Sequence, residues 1–348
     1  MNGKLILSAA EYRSKVLGCW MGKNIGGTLG APFEWKRQLN DVGFYAQELK
    51  GEPLPNDDLD LQLAWLIALE EEGIDIGAER LAAYWLHYVA PHWFEYGNAK
   101  ANLRSGLAPP LSGMVNNPHK DSCGAFIRSE IWACLAPGHP RVAVRYARAD
   151  ASVDHGDGEG MLAELFFAAM QSAAFIEGDF RRLVEIGLSY IPAASGVARA
   201  VRTAIECRGA GASWRDARDE LLRRHRGHYM TYAGISQRDR DLGFADGPPG
   251  YDAPVNAAIV VLAWLYGEGD FERSICTAVN CGEDTDCTAA TLGALWGIIH
   301  GIDAFPRRWT EPIGRGIRTL SLNEGDLLGA PIPATIDELT ERIERVAR

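Results

Sequence analysis

The sequence predicts an all-α protein built of many helices. Apolar residues recur at three- and four-residue steps through most of the chain, the spacing of a single helix face. Two capping boxes mark helix starts, Ser8-Ala9-Ala10-Glu11 and Thr335-Ile336-Asp337-Glu338. Convincing period-two alternation is absent and the β-branched runs are short, so no strand is predicted.

In chain order, the first box opens a helix through Val16, Leu17, Trp20 and Met21. The cluster Asn56-Asp57-Asp58-Leu59-Asp60 then leads into the apolar stretch Leu61 to Leu69. Amphipathic segments follow at about Ala78 to Val89, about Arg141 to Ala151, and Glu159 to Ile176. Phe180 to Ser189, Ser195 to Cys207, Ala253 to Tyr266 and Phe271 to Asn280 continue the pattern. A second acidic cluster, Glu283-Asp284-Thr285-Asp286-Cys287-Thr288, opens the helix Thr285 to His300, and the last capping box opens the final one. Pro53 to Asn56, Gly97 to His119 and Arg238 to Asp252, rich in Gly, Pro, Asn and charge, read as loops. The prolines within Gly106 to His119 predict an ordered but non-helical stretch. No repeat, low-complexity tract or flexible linker divides the chain, so residues 1–348 read as a single domain.

Composition narrows the function class. A net charge of -11 argues against a nucleic-acid binder, because phosphate backbones reward clustered Lys and Arg. No apolar run reaches membrane-spanning length, and the N-terminus lacks a signal-peptide core. Seven cysteines without a C-x-x-C pair suit reduced thiols, and a cytoplasmic protein is expected.

The two acidic clusters carry the chemistry. An Asp ahead of a helix is ordinarily an N-cap, but one helix needs one cap. Carboxylates packed this closely repel unless a cation or hydrogen bonds balance them. A helix start supplies only about half a positive charge. Mg²⁺, Mn²⁺ and Ca²⁺ all take oxygen ligands, so a metal site joining the clusters is the expectation. Joining segments more than two hundred residues apart also favours one domain.

Four segments in order resemble the ADP-ribosylglycohydrolase family. They are Gly18-Cys19-Trp20-Met21-Gly22 with Gly26-Gly27-Thr28-Leu29-Gly30-Ala31-Pro32-Phe33-Glu34, then Asn56-Asp57-Asp58, Val153-Asp154-His155-Gly156, and Asn280 to Ala289. The resemblance spans roughly residues 10 to 300 and implies an orthogonal multi-helix bundle around a two-metal site, usually Mg²⁺ or Mn²⁺. It implies Asp57, Asp58, Asp284 and Asp286 as ligands, with Asn56 at a ligand position. It further implies Glu34 in a mobile loop beside the substrate and His155 on the ribose and adenine side. Asp121 to Arg128 loosely resembles a phosphate-proximal Gly-rich loop, which makes Gly124 a substrate-contact candidate; an ordinary helix start is the other reading.

Two family threonines are replaced, one by Asn56 and one by Cys287. An amide oxygen suits Mg²⁺ or Ca²⁺, whereas sulfur is a poor partner for Mg²⁺. Either Thr288 takes over the lost hydroxyl, or one metal position is altered. Asp60, one turn beyond Asp57, either joins the ligands or satisfies the helix dipole. The dispersed histidines are not expected to be ligands, and Trp35, Trp93 and Trp264 are candidates for stacking on a sugar or base. The implied activity is metal-dependent hydrolysis of an ADP-ribosyl, ribosyl or related small glycosidic bond, with Asp58 or Asp286 as base and Glu34 positioning the bond or water. The expected partner is that glycoside or an ADP-ribosylated substrate, acted on by a monomer or small homo-oligomer. The alternative is a non-catalytic relative that binds metal and ligand or serves a structural role.

Overall fold

The computed structural model describes residues 7–34, 38–226, 250–322 and 332–347. These residues form α-helices joined by turns; pairing between extended segments is limited, among them, to isolated bridges such as Ser122 with Asp252. The all-α expectation therefore holds.

The helices that position the site are α1 (Ala9–Gly30), α2 (Asp57–Glu72), α3 (Ala78–Tyr88) and α4 (Phe94–Arg104). They continue with α5 (Leu111–Met114), α6 (Glu130–Leu135), α7 (Pro140–Ala151), α8 (Glu159–Ala174), α9 (Phe180–Ser189) and α10 (Gly196–Gly209). Beyond these lie α11 (Trp214–His225), α12 (Ala253–Gly267), α13 (Phe271–Asn280), α14 (Thr285–His300), α15 (Arg307–Thr310) and α16 (Ile336–Ala347). Ser8 caps α1 reciprocally with Glu11, as its sequence predicts. The stretch Gly97 to His119, expected to be loop, instead contains most of α4 and all of α5. Gly97 and Asn98 disguise α4, but Ala99 to Arg104 holds good helix formers. α11, a polar helix capped by Ser213, also escaped the apolar pattern.

The Gly-rich N-terminal segment continues α1 as far as Gly30, and its glycines form a seam. α1 and α14 run antiparallel with their backbones in contact. A Cβ on Gly18 would lie 2.6 Å from the Gly297 carbonyl oxygen, one on Gly22 1.9 Å from that of Gly293, and one on Gly30 2.3 Å from that of Thr285. Only glycine lets two helix backbones approach so closely. The seam fixes the C-terminal end of α1 beside the N-terminal end of α14, and there the Thr285 hydroxyl donates to the Gly30 carbonyl at 2.9 Å.

The core around this seam is rich in tryptophan. Trp65 stacks on Trp85 and meets Trp132, which stacks on Tyr146. Trp264 is also core: it stacks on Phe180 with ring centroids 4.5 Å apart, so it is no sugar platform. A buried polar knot ties α1, α2, α6 and α8 together. Glu130 there accepts from Lys23 at 3.0 Å, Gln62 at 2.9 Å and Gln171 at 3.1 Å.

Candidate metal centre

α2 and α14 bring the two acidic clusters together. The cap of α2 is Asn56, whose side-chain oxygen accepts from the Asp58 backbone N–H at 2.7 Å. The amide thus meets the capping need, and the carboxylates keep their oxygens for other partners. Half-buried Asp57 accepts from the Tyr96 hydroxyl at 3.0 Å. Asp58 is fully buried, and neither of its carboxylate oxygens has a hydrogen-bond partner.

At α14 the chain turns through two left-handed residues, Gly282 and Glu283, with φ of 72° and 65°. This turn separates the acidic residues. Glu283 points away and pairs with Arg226 at 3.2 Å, leaving Asp284 and Asp286 to face α2. Asp284 sits at the N-cap position but makes no capping bond, and its buried Oδ1 lacks a partner, as does Asp286 Oδ1. Asp284 Oδ2 accepts from the Cys123 thiol at 2.8 Å.

Three sets of donor atoms each lie within 4.8 Å of one another: Glu34 with Asp284 and Asp286, Asp58 with Asp286 and Cys287, and Cys123 with Asp284 and Cys287. No histidine belongs to such a set among the described residues. Burial, ahead of repulsion from Glu34, Asp284 and Asp58, pushes the Asp286 carboxyl well above its usual range. Burial does the same to Asp58, with Asp57 and Asp284 adding to it and Lys23 opposing. Asp57 is raised too, by burial first and then by Asp284, against its bond from Tyr96. A divalent cation would restore the ionised form of all three. Orphaned buried oxygens converging from two helix starts fit such an ion.

The carboxylates floor a cavity of about 530 Å³, within the roughly 300–1,000 Å³ usual for small-molecule sites. Glu34, Asn56, Asp57, Asp284, Asp286 and Cys287 line one side. Glu95, Ser122, Cys123 and Gly124 line another, and Trp93, Phe94, Tyr96 and Tyr251 give it aromatic walls. Trp93 and Phe94 are partly solvent-exposed, and Phe94 holds a strained φ of 38° at the start of α4. Trp35 lies outside the described residues.

Several expectations need correction. His155 does not line the cavity. It is fully buried behind the wall, its Nε2 3.0 Å from the Ser122 hydroxyl and 4.0 Å from Glu95, its Nδ1 2.9 Å from Asp154. Asp60 neither lines the cavity nor merely answers the helix dipole: its Oδ2 accepts from the backbone N–H groups of Leu320 and Ser321. Thr288 does not take over the lost hydroxyl, since it donates to the Thr285 carbonyl and Cys287 faces the cavity instead. Gly124 does line the cavity, and a Cβ there would come within 1.9 Å of Glu95 Oε1.

Glu95 and Cys123 were missed by sequence reasoning. Cys123 sits in the Asp121 to Arg128 segment, from which only Gly124 was singled out, and Glu95 lay next to a stretch read as loop. Burial pushes the Glu95 carboxyl up to about 7, with Asp154 adding to the rise and His155 and Ser122 opposing it. It is thus poised to hold or release a proton near neutrality.

A family model described as ADP-ribosylglycohydrolase matches residues 8–345. The chain belongs to the ADP-ribosylglycohydrolase family. One relative is an uncharacterised protein of Archaeoglobus fulgidus, 26% identical over 320 residues, covering 85% of this chain and 90% of that one. Among solved structures, an ADP-ribosylglycohydrolase-related protein complex superposes with a TM-score of 0.61 at 22% identity, covering 97% of this chain and 100% of the other. That likeness establishes the ADP-ribosylglycohydrolase fold. No helix among the described residues is long and apolar enough to cross a membrane.

Proposed function

We propose that this ADP-ribosylglycohydrolase family member is a metal-dependent glycoside hydrolase acting on an ADP-ribosyl, ribosyl or related small glycosidic bond. The observation that carries the reading is the pair of buried, unpartnered carboxylate oxygens on Asp284 and Asp286 at the floor of an aromatic-walled cavity, with the unpartnered carboxylate of Asp58, which does not itself line the cavity, within 4.8 Å of Asp286. A divalent cation bound there would supply a Lewis acid for sugar hydroxyls and for a water molecule.

The chain's own residues then divide the remaining work. Asp286, or Asp58 beside it, accepts the proton of the attacking water. Glu95, with its carboxyl raised to about 7, holds a proton to deliver to the leaving group as positive charge builds on the sugar ring. Glu34, within 4.8 Å of Asp284 and Asp286 in their shared donor set, positions the water or the bond. Trp93, Phe94 and Tyr251 offer faces for a sugar or base to stack on.

The field of Glu34, Asp57, Asp284 and Asp286 opposes a diphosphate wherever a cation does not offset it. This favours a small glycoside without phosphates over an ADP-ribosylated macromolecule. The test is release of free sugar from paired ribosyl and ADP-ribosyl substrates, with Mg²⁺, Mn²⁺ or Zn²⁺ and after chelation. Turnover of the small glycoside that chelation abolishes supports the reading. Rapid release of ADP-ribose from protein arginine or serine, with small glycosides untouched, contradicts the substrate preference. No hydrolysis of any of them with any ion contradicts the activity.

A further inference from the structure

The donor set on the Cys123 side differs in kind from the carboxylates opposite. Cys123 reaches the cavity from the turn before α6, and Cys287 from the first turn of α14. The Cys123 thiol donates to Asp284 Oδ2 at 2.8 Å. Both sulfurs and an Asp284 oxygen lie within 4.8 Å of one another, and all three residues are buried. Asp284 has a second buried oxygen without a partner, and both oxygens of neighbouring Asp58 lack one.

We propose that Cys123, Asp284 and Cys287 form a thiolate–carboxylate position that takes a borderline-soft divalent cation, Zn²⁺ first, in place of Mg²⁺ in that half of the centre. Mg²⁺ demands near-octahedral oxygen ligation at about 2.0–2.1 Å and binds sulfur poorly. Zn²⁺ accepts sulfur at about 2.3 Å and carboxylate oxygen at about 2.0–2.2 Å in a tetrahedron. Donors around one such ion lie roughly 3.5 Å apart, a spacing the present set reaches by small side-chain shifts. All three residues line the cavity, so the fourth position of the tetrahedron opens toward substrate. As each sulfur–metal bond forms, its thiol releases a proton to solvent, two per ion. The opposite set, Glu34 with Asp284 and Asp286, offers only oxygens and suits Mg²⁺ or Mn²⁺. Asp284 belongs to both sets and would bridge them.

The inference rests on the metal centre of the proposed function, not on its substrate. The test uses the full chain, reduced and freed of metal by chelator, titrated with Co²⁺ as the probe for Zn²⁺. The expected result is a thiolate-to-metal charge-transfer absorption that Zn²⁺ abolishes by displacement and a large excess of Mg²⁺ leaves standing. Cys123→Ser and Cys287→Thr should each remove that absorption and weaken Co²⁺ binding by ~10-fold or more, with helical circular dichroism unchanged. X-ray absorption of the wild-type chain loaded with Zn²⁺ needs no variant and should find sulfur at about 2.3 Å. Oxygen-only coordination, displacement of Co²⁺ by Mg²⁺, or an absorption surviving in both variants overturns the proposal. Mn²⁺ binding followed by electron paramagnetic resonance separates the two claims. Mn²⁺ bound with no thiolate absorption from Co²⁺ overturns this inference and leaves the metal-dependent hydrolase standing; neither ion bound overturns both.

Discussion

Two buried acidic nests lie close together in this molecule, and they are balanced in opposite ways. The first gathers Asp150, Asp154 and Glu164 around Arg128, every one of them fully buried. Arg128 bonds Asp150 at 2.9 Å and Asp154 at 2.6 and 3.1 Å, donates to the Gly124 carbonyl at 2.6 Å, and lies over the Trp85 ring. Burial would raise Asp154, but Arg128 and His155 outweigh it and hold the carboxyl below its usual range. Glu164 is pushed well above its usual range by burial and then by Asp150, with Arg128 opposing. The second nest is Asp58, Asp284 and Asp286 with Asp57 and Glu34. Lys23 acts on Asp58 from a distance, but its ammonium is bonded to Glu130 and the Ile127 carbonyl. Burial is common to both nests. What separates them is a built-in cation, and a nest without one is the place to expect an exchangeable ion.

The sharpest way to break the comparison is to remove the cation of the first nest. Arg128→Met strands Asp150 and Asp154 in the core and should cost about 3–5 kcal/mol. Thermal denaturation should find a large fall in Tm that no divalent cation restores. A small fall would mean that Arg128 does not balance the first nest.

The second nest should respond in the opposite sense. Without metal, Asp58→Asn removes a buried carboxyl that has no partner, so apo Tm should stay level or rise. Adding Mn²⁺ or Zn²⁺ to wild type at 100 times Kd should stabilise by about 2.7 kcal/mol, and Asp58→Asn with Asp286→Asn should erase that gain. The pH dependence follows the same sign. Burial first of all raises the Asp58 carboxyl well above its ordinary range in the folded chain. The contribution of Asp58 to apo stability is therefore fully present below the ordinary carboxylate range and is lost as pH rises toward the folded pKa. Metal should flatten this decline. A decline of equal slope with and without metal would contradict the assignment.

Catalysis tests the same contrast at smaller scale. Asp286→Asn should lower kcat by about 10²–10⁴ with circular dichroism unchanged. If protonated Glu95 is the acid, turnover should fall as pH rises through about 7, and Glu95→Gln should abolish that limb of the profile. An unchanged limb would move the acid elsewhere.

The helices were legible because their apolar periodicity is strong, and α4 was not, because Gly97 and Asn98 interrupt it. Clustered carboxylates exposed the second nest in the sequence. The first nest stayed hidden, because Arg128, Asp150 and Glu164 stand apart along the chain and only packing brings them together. Asp60 and Glu283 belonged to the acidic clusters by spacing, yet backbone N–H groups hold one and Arg226 holds the other. Spacing cannot show which way a residue turns; a left-handed turn at Gly282 and Glu283 decides it for the second cluster. Glu95 carried no local signal, and the loose loop resemblance of Asp121 to Arg128 pointed to Gly124 rather than Cys123, so only their meeting with Ser122 and Asp284 marks them.

The central claim is that the second nest is completed by a cation from outside the chain. Isothermal calorimetry of the chelator-treated protein with Mn²⁺, Zn²⁺ and Mg²⁺ in turn tests it most directly. Saturable binding in wild type that disappears in the Asp58→Asn, Asp286→Asn double variant, while Arg128 stays intact, is the predicted result. Absence of binding heat for all three ions, with no change in Tm, would contradict it.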